Sequence, residues 1–500
     1  MNNSKHFRKV LNKAISVVSN SPSLYVFNPE TDFTRDRLLT FETVIKNIIC
    51  MESGSLKDEL LKLNNYSLST PTASAFVQAR SKIKHDAFIS IFSIFNQKSQ
   101  NIKTCKGYRL LAIDGSVLPI DNSIPDKDTT MLKFNQSNKT YSAFHINASY
   151  DLLEYTYDDI LIQGQAKMDE NGAFCQLVDR YKGNKAIFIC DRCYESINGF
   201  EHVAHSGNKY LIRVKDIHSK TSVTKSFGPF PDEEFDTDVS RFLTRRYTNY
   251  IKNHPETYKY MPQNQRFDYF DEDTNIPYEF HTRIVRFKIT DNTYECIMTN
   301  LSRDDFSIED IKELYHKRWG IETSFRELKY AIGLNALHSK KRELIKQEIY
   351  ARVILYNFSQ RVIQNIKLKK HKRKYVYQVN FTRAFHILRE FLRKSRRQIL
   401  YIVYLPLSNR TCAINAYGFP SCFVSPNFYS FYFASAYLKK LFFFILYLFL
   451  CILCFPIATN SSIVIVGLNI KFSKYLPFTN PISFMKKSFP YLTVNNFPCI

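Results

Sequence analysis

Acidic residues run out early in this 500-residue chain. The last is Glu390, and positions 391–500 hold 11 Lys or Arg without a single Asp or Glu. The opening MNNSKHFRKV has no apolar h-region, so nothing there directs the chain to secretion. The 11 cysteines lack paired spacings and do not suggest a disulfide framework. Tryptophan occurs once, at Trp319. Positive charge and aromatic side chains, by contrast, are plentiful. There are 69 Lys and Arg against 46 acids, a formal charge of +23, which makes a polyanionic partner the first expectation. At 45% hydrophobic and 15% aromatic, the composition excludes a mainly disordered chain. The length allows roughly two to four domains and at least one sizeable core.

The last fifth is compositionally foreign to the rest. Residues 401–500 carry 15 of the 42 Phe and 5 of the 11 Cys. Within them LFFFILYLFLCILCFPIA, residues 441–458, runs 18 residues without a charge and has the length of a transmembrane helix. An anchor makes little sense beside the rest of the chain. The tail is better read as aberrant, translated AT-rich DNA beyond the end or shift of a reading frame, and no membrane partner is expected. The surplus of base does not depend on it, since residues 1–390 hold 58 bases and 46 acids.

Residues 1–100 read as helices, with apolar spacing in FTRDRLLTFETVIKNIICM and again in SAFVQARSKIKHDAFISIFSIF after Thr70-Pro71. In the second run Phe76, Ala79, Ile83 and Phe88 form a packing face, leaving Gln78, Arg80, Lys82 and Lys84 outward. A small DNA-binding module and a helical cap on the next domain both fit. Strands follow at RLLAIDGSVLPI, SAFHINASYDLL, YTYDDILIQG, KAIFICDRCYES and KYLIRVKD, with a helix at NGAFCQLVDRYKG, which predicts a mixed sheet with helices on its faces. Residues 217–300 read as a mainly β insertion, and helices return from 301 to 400.

Three carboxylates stand out in this order. Asp114 closes the first strand, Asp191 closes the fourth, and Glu322 lies on a late helix. Neighbouring strand ends bring two Asp side chains close, and a packed helix can add a third acid. Hard oxygen donors of this kind suit paired Mg²⁺ ions, which clamp the attacking and leaving oxygens of phosphoryl transfer. Composition and pattern therefore reach a metal-dependent nucleic-acid enzyme.

The late helix, YHKRWGIETSFRELKYAIGL at 315–334, starts at a Ser307–Asp310 capping box and has Gly333 to end it. At 100° per residue Tyr315, Arg318, Glu322 and Lys329 fall within a stripe about 60° wide. Trp319, Phe325 and Leu328 read as core, and Gly320 as a soft point. Spacing alone also allows a solvated stripe laced by Arg318 and Glu322.

The signature Tyr-x2-Arg-x3-Glu-x6-Lys is met at all four of these positions. With TNL at 299–301, LYHKRWGIETSFRELK, HSKKRELIKQEIYARVILYN, AIDGS around Asp114 and CDRCY around Asp191, the sequence resembles the DDE transposases of bacterial insertion sequences over roughly residues 30–400. It departs at Cys193, where the second box commonly has Gly; a metal or redox role for the Cys190–Cys193 pair is not expected, as no second pair accompanies it.

The resemblance implies a ribonuclease-H-like core interrupted by the β insertion, for which the spacings of 77 and then 131 residues between the acids leave room. It implies domains at 1–100 (DNA-binding helices), 101–216 (first part of the core), 217–300 (insertion), 301–400 (catalytic and C-terminal helices) and 401–500 (aberrant tail). Asp114, Asp191 and Glu322 would be catalytic and bind two Mg²⁺ or Mn²⁺ ions. Tyr315, Arg318 and Lys329 would hold DNA phosphates. The implied activity is cleavage at the element's terminal inverted repeats and strand transfer into target DNA, by a homodimer in a synaptic complex on the bacterial nucleoid in the cytoplasm. A ribonuclease-H-fold nuclease that only hydrolyses, or an inactive DNA-binding remnant, is the alternative.

Overall fold

The computed structural model describes residues 2–133, 136–271, 276–291, 293–366, 376–377, 379–393 and 413–414. The basic run KLKKHKRK, the apolar segment 441–458 and nearly all of 401–500 lie outside the described residues. Among those described, no helix is long and apolar enough to cross a membrane.

Five helices come first: α1 (Asn2–Ser19), α2 (Phe41–Cys50), α3 (Leu56–Leu63), α4 (Ala73–Arg80) and α5 (Asp86–Ser99). Side-chain oxygens of Thr40, Ser55 and Thr72 cap α2, α3 and α4 by accepting backbone N–H bonds three residues on. The run at 74–95, whose apolar spacing predicts one packing face, breaks between α4 and α5. There Ile83 forms an antiparallel bridge with Val26, and the chain at 82–84 exchanges backbone hydrogen bonds with Tyr25 and Phe27. Strand-like pairing has displaced the helix.

The sheet and its helices follow as β1 (Arg109–Ile120), β2 (Thr130–Lys133), β3 (Gln136–Asp151), β4 (Thr156–Gly164), α6 (Glu170–Arg180), β5 (Ala186–Cys190), α7 (Ile197–His205), β6 (Lys209–Val214), β7 (Phe235–Thr244), α8 (Asn249–Asn253), β8 (Tyr258–Tyr260), β9 (Tyr278–Thr290) and β10 (Thr293–Thr299). The order across the sheet is β3–β1–β5–β6–β10–β9–β7–β8, with β2 and β4 also paired to β3. The pairs β1–β5 and β5–β6 are parallel, whereas β3 runs antiparallel to β1 and β4. This is the mixed α/β architecture the sequence predicts. The strands of residues 217–300 continue this sheet from β6 through β10, where Cys296 pairs with Val214.

The last helices are α9 (Ile308–Lys317), α10 (Trp319–Arg326), α11 (Arg342–Ile363) and α12 (Phe381–Arg393). Side chains alternate across each strand. Leu110 and Ala112 of β1 and Ile187 and Ile189 of β5 face a core shared with α1, α2, α5, α10 and α11. Leu111, Ile113, Phe188 and Cys190 face the other core, with Phe174 and Val178 of α6 and Phe200 of α7. Carried one step further, the alternation puts Asp114 and Asp191 on the α10 side and Gly115 on the α6 side.

The N-terminal helices thus share a core with β1, β5, α10 and α11, and one expected surface residue has joined it. Arg80 is fully buried, not outward. Its Nη1 donates to Glu348 Oε1 at 3.0 Å and its Nη2 to the Leu344 carbonyl at 2.9 Å, while Gln347 Nε2 donates back to the Arg80 carbonyl at 3.1 Å. A guanidinium can enter a core when carboxylate and carbonyl acceptors meet it.

Gly333 closes the α10 region with φ +89°, and a β carbon there would lie 2.4 Å from Ser53 Oγ. Gly333→Ala is expected to destabilise the fold by about 1–2 kcal/mol, because L residues pay that much in the left-handed region. Chemical denaturation of parent and variant measures it.

Candidate active site

Asp114 and Asp191 are brought together by register. Ile113 of β1 pairs with Cys190, the last residue of the parallel β5, so an aspartate follows each: Asp191 just past β5, and Asp114 midway along β1, which does not close there as expected but runs on to Ile120 beside β3. Adjacent strands lie about 4.8 Å apart, which sets the spacing of the two backbones. One oxygen of each carboxylate is fixed by a backbone amide: Gly115 N–H donates to Asp114 Oδ1 at 2.8 Å, and Cys193 N–H donates to Asp191 Oδ1 at 2.8 Å. Cys193 lies outside the left-handed region. The glycine usual at this place is therefore not required by the backbone here.

Glu322 sits on α10, opposite the two aspartates and on the same side of the sheet. Burial raises the Asp114 pKa to about 6; the Gly115 amide opposes the shift, and the charges of Asp191 and Glu322 add to it. Three acids therefore share one electrostatic neighbourhood. Among the described residues no three His, Cys, Asp or Glu converge into a complete metal site. Glu322 instead accepts a hydrogen bond from Arg318 Nη2 at 2.7 Å. As donors the three carboxylates still fit a hard divalent cation, which would offset the mutual repulsion that burial sharpens.

The stripe expected on one helix spans an interrupted one. The Ser307–Asp310 capping box forms as predicted and starts α9. At Arg318 and Ile321 the bonding tightens to i−3, and a π-helical turn runs from Glu327 to Ala331. Gly320 lies at the break, where a β carbon would approach Leu152 Cδ2 to 3.0 Å. Tyr315 and Arg318 are both buried at 5% exposure, so the stripe is not a solvated face. The Arg318 guanidinium lies over the Tyr315 ring at 5.7 Å and the Trp319 ring at 5.4 Å. Burial drives the Tyr315 pKa up to about 12. Lys329 Nζ reaches β1 and donates to the Val117 carbonyl at 2.8 Å.

Trp319 is not core. It is 51% exposed, while Phe325 and Leu328 are buried as expected. On the helical wheel Trp319 lies about 40° from Tyr315, on the side away from Ile321, Phe325 and Leu328, and hydrophobicity alone misassigned it. Two further side chains near Asp114 were missed. His145 of β3 and Glu170 of α6 approach each other to 3.1 Å beside Gly115. Their separation in sequence, on a strand and a helix, offers no spacing signal.

Fold and site together define an α/β protein with an acidic centre where the parallel β1–β5 pairing ends, faced by a helix-borne glutamate and arginine. The chain belongs to the transposase DDE domain family, whose model matches residues 106–358, a span that contains all six residues of the site. Its relatives include the putative transposase InsL for insertion sequence element IS186A of Escherichia coli (strain K12) and the transposase for insertion sequence element IS421 of Escherichia coli. Each is 38% identical over 58 residues, 12% of this chain and 16% of the relative. The matched stretch is thus about a sixth of the length of these curated relatives.

Proposed function

We propose that this chain is a DNA transposase that cuts at the ends of an insertion sequence and joins them to target DNA. The observation that carries the reading is the register placing Asp114 beside Asp191, with Glu322 on the helix facing them. The sheet order β4–β3–β1–β5–β6, with its first two pairs antiparallel and the rest parallel, supports a ribonuclease-H-like core.

In this reading Asp114, Asp191 and Glu322 hold two Mg²⁺ or Mn²⁺ ions, which supply an activated water and charge neutralisation at phosphate oxygens. Two backbone amides pre-orient the aspartates, and Tyr315 supports Arg318 from below. Arg318 balances Glu322 and, with Lys329, offers cationic donors to phosphates of the bound end. Hydrolysis exchanges one P–O bond for another and frees a 3′-hydroxyl, which then attacks a second phosphodiester. Partners are the terminal inverted repeats, target DNA and a second copy of the chain in the synaptic complex, and the setting is the bacterial cytoplasm.

Incubating the full chain with duplex DNA carrying the inverted repeat of its own element, with Mg²⁺ or Mn²⁺, tests the reading. Nicking at the repeat boundary that leaves a 3′-hydroxyl is expected; no cut with either ion would overturn it. Lys329→Ala is expected to weaken end binding and reduce the slope of log K against log salt by about 1, because one phosphate contact goes. Gel-shift titrations across a salt series measure this, and an unchanged slope would remove Lys329 from the interface.

A further inference from the structure

We infer that His145 and Glu170 are a positioning pair for Asp114, acting from the opposite face of the sheet through Gly115. This rests on the proposed role of Asp114 as a metal ligand. The connection has three links. The Gly115 amide holds Asp114 Oδ1 at 2.8 Å, so the carboxylate's orientation follows the plane of that peptide. Gly115 has no side chain on the α6 side, and the His145 ring occupies the place one would take. A β carbon at Gly115 would lie 2.3 Å from His145 Nε2, 2.9 Å from its Cε1 and 3.1 Å from Glu170 Oε1. Finally, His145 Nε2 lies 3.1 Å from Glu170 Oε1, in the first turn of α6, a helix capped by Asp169.

A purely structural role fits this spot poorly. His145 is 3% exposed, and neither Nδ1 nor Nε2 makes a well-aligned hydrogen bond among the described residues, Nε2 having only the 3.1 Å approach of Glu170. Asn147 Oδ1 and Ser149 Oγ, further along the same face of β3, are also buried and unpartnered. Each such atom costs roughly 1–3 kcal/mol that an apolar side chain would not. An apolar residue would fill the space over Gly115 more cheaply, but it would not place a polar ring between that peptide and the α6 carboxylate. A fixed peptide matters to a carboxylate that must meet a cation, since partners one step behind metal ligands typically govern metal affinity or activity by 10–100-fold.

The test uses the full chain and Mn²⁺ alone, with free Mn²⁺ read by electron paramagnetic resonance. Glu170→Gln and His145→Gln are expected to weaken Mn²⁺ binding by roughly 10–100-fold. His202→Gln is the control, because His202 is likewise a buried histidine held by carboxylates, Asp179 at 2.9 Å and Asp268 at 3.0 Å. It is expected to lower thermal stability and leave Mn²⁺ affinity within about twofold. Should His145→Gln fail to fold, Glu170→Gln decides, since that carboxylate is partly exposed. Mn²⁺ binding that survives Glu170→Gln unchanged would overturn the inference alone. An absence of Mn²⁺ binding by the parent chain would overturn the proposed metal centre and this inference with it.

Discussion

Asp114→Asn, Asp191→Asn and Glu322→Gln are each expected to reduce end cleavage on the order of a thousandfold, while end binding stays measurable. The isosteric amides keep the shape of the site. What they remove is charge, and an amide oxygen is a weak substitute for a carboxylate toward a divalent cation. Residues that act as one unit lose most of the rate when any member goes, so the three losses should be similar and far from additive. Glu322→Gln carries a second consequence, because buried Arg318 keeps an acceptor oxygen at that position but loses its counter-charge. Its end binding should therefore fall somewhat more than that of the aspartate variants. Cleavage by any one variant within tenfold of the parent would remove that residue from the site.

The largest stability effect is expected at Glu348, deep in the shared core of the N-terminal helices and α11. Burial opposes its ionisation, but hydrogen bonds from His338 and the charge of Arg80 outweigh burial and hold its pKa at about 2. A carboxyl depressed in the fold contributes stability above its unfolded pKa, near 4.3, and loses that contribution as pH falls toward 2. Burial lowers the Arg80 pKa even with Glu348 beside it, so the pair is costly to assemble and costlier to break. Glu348→Ala, which strands Arg80, should destabilise the chain by about 3–5 kcal/mol, and the double variant Arg80→Met, Glu348→Leu should recover most of it. Denaturant unfolding at pH 7 and pH 3 measures both. The variant's deficit should shrink at the lower pH, and a deficit unchanged there would contradict the ionic account.

The site's first outline was legible because its signals are local. Two short apolar runs that reach an Asp, a capping box and four residues at helical spacing are each recognised within 15 residues. The meeting of the two aspartates depends on β1 and β5 being neighbours, a simple outcome for a mixed sheet, and the approach of Glu322 on the packing of α10 against it. Arg80 shows what was not legible. Its outward position followed from an unbroken helix, whereas Val26 breaks that helix and Glu348 receives the guanidinium from 268 residues away. Trp319 was misplaced for a different reason, since its ring was judged by polarity and not by its angle on the wheel. The π-turn after Arg326 has no sequence signal of comparable strength. His145 and Glu170 were invisible for the plainest reason: a polar pair on two separate elements announces itself only when the backbone it touches, here Gly115, is known.

Strand transfer tests the central claim most directly. The full chain would be given pre-cut end DNA carrying a free 3′-hydroxyl, a supercoiled target plasmid, and Mg²⁺ or Mn²⁺. The account predicts end DNA covalently joined to the plasmid through that 3′-hydroxyl, with no joining by Asp114→Asn. Divalent-dependent hydrolysis of DNA without any joined product would contradict it and identify a nuclease.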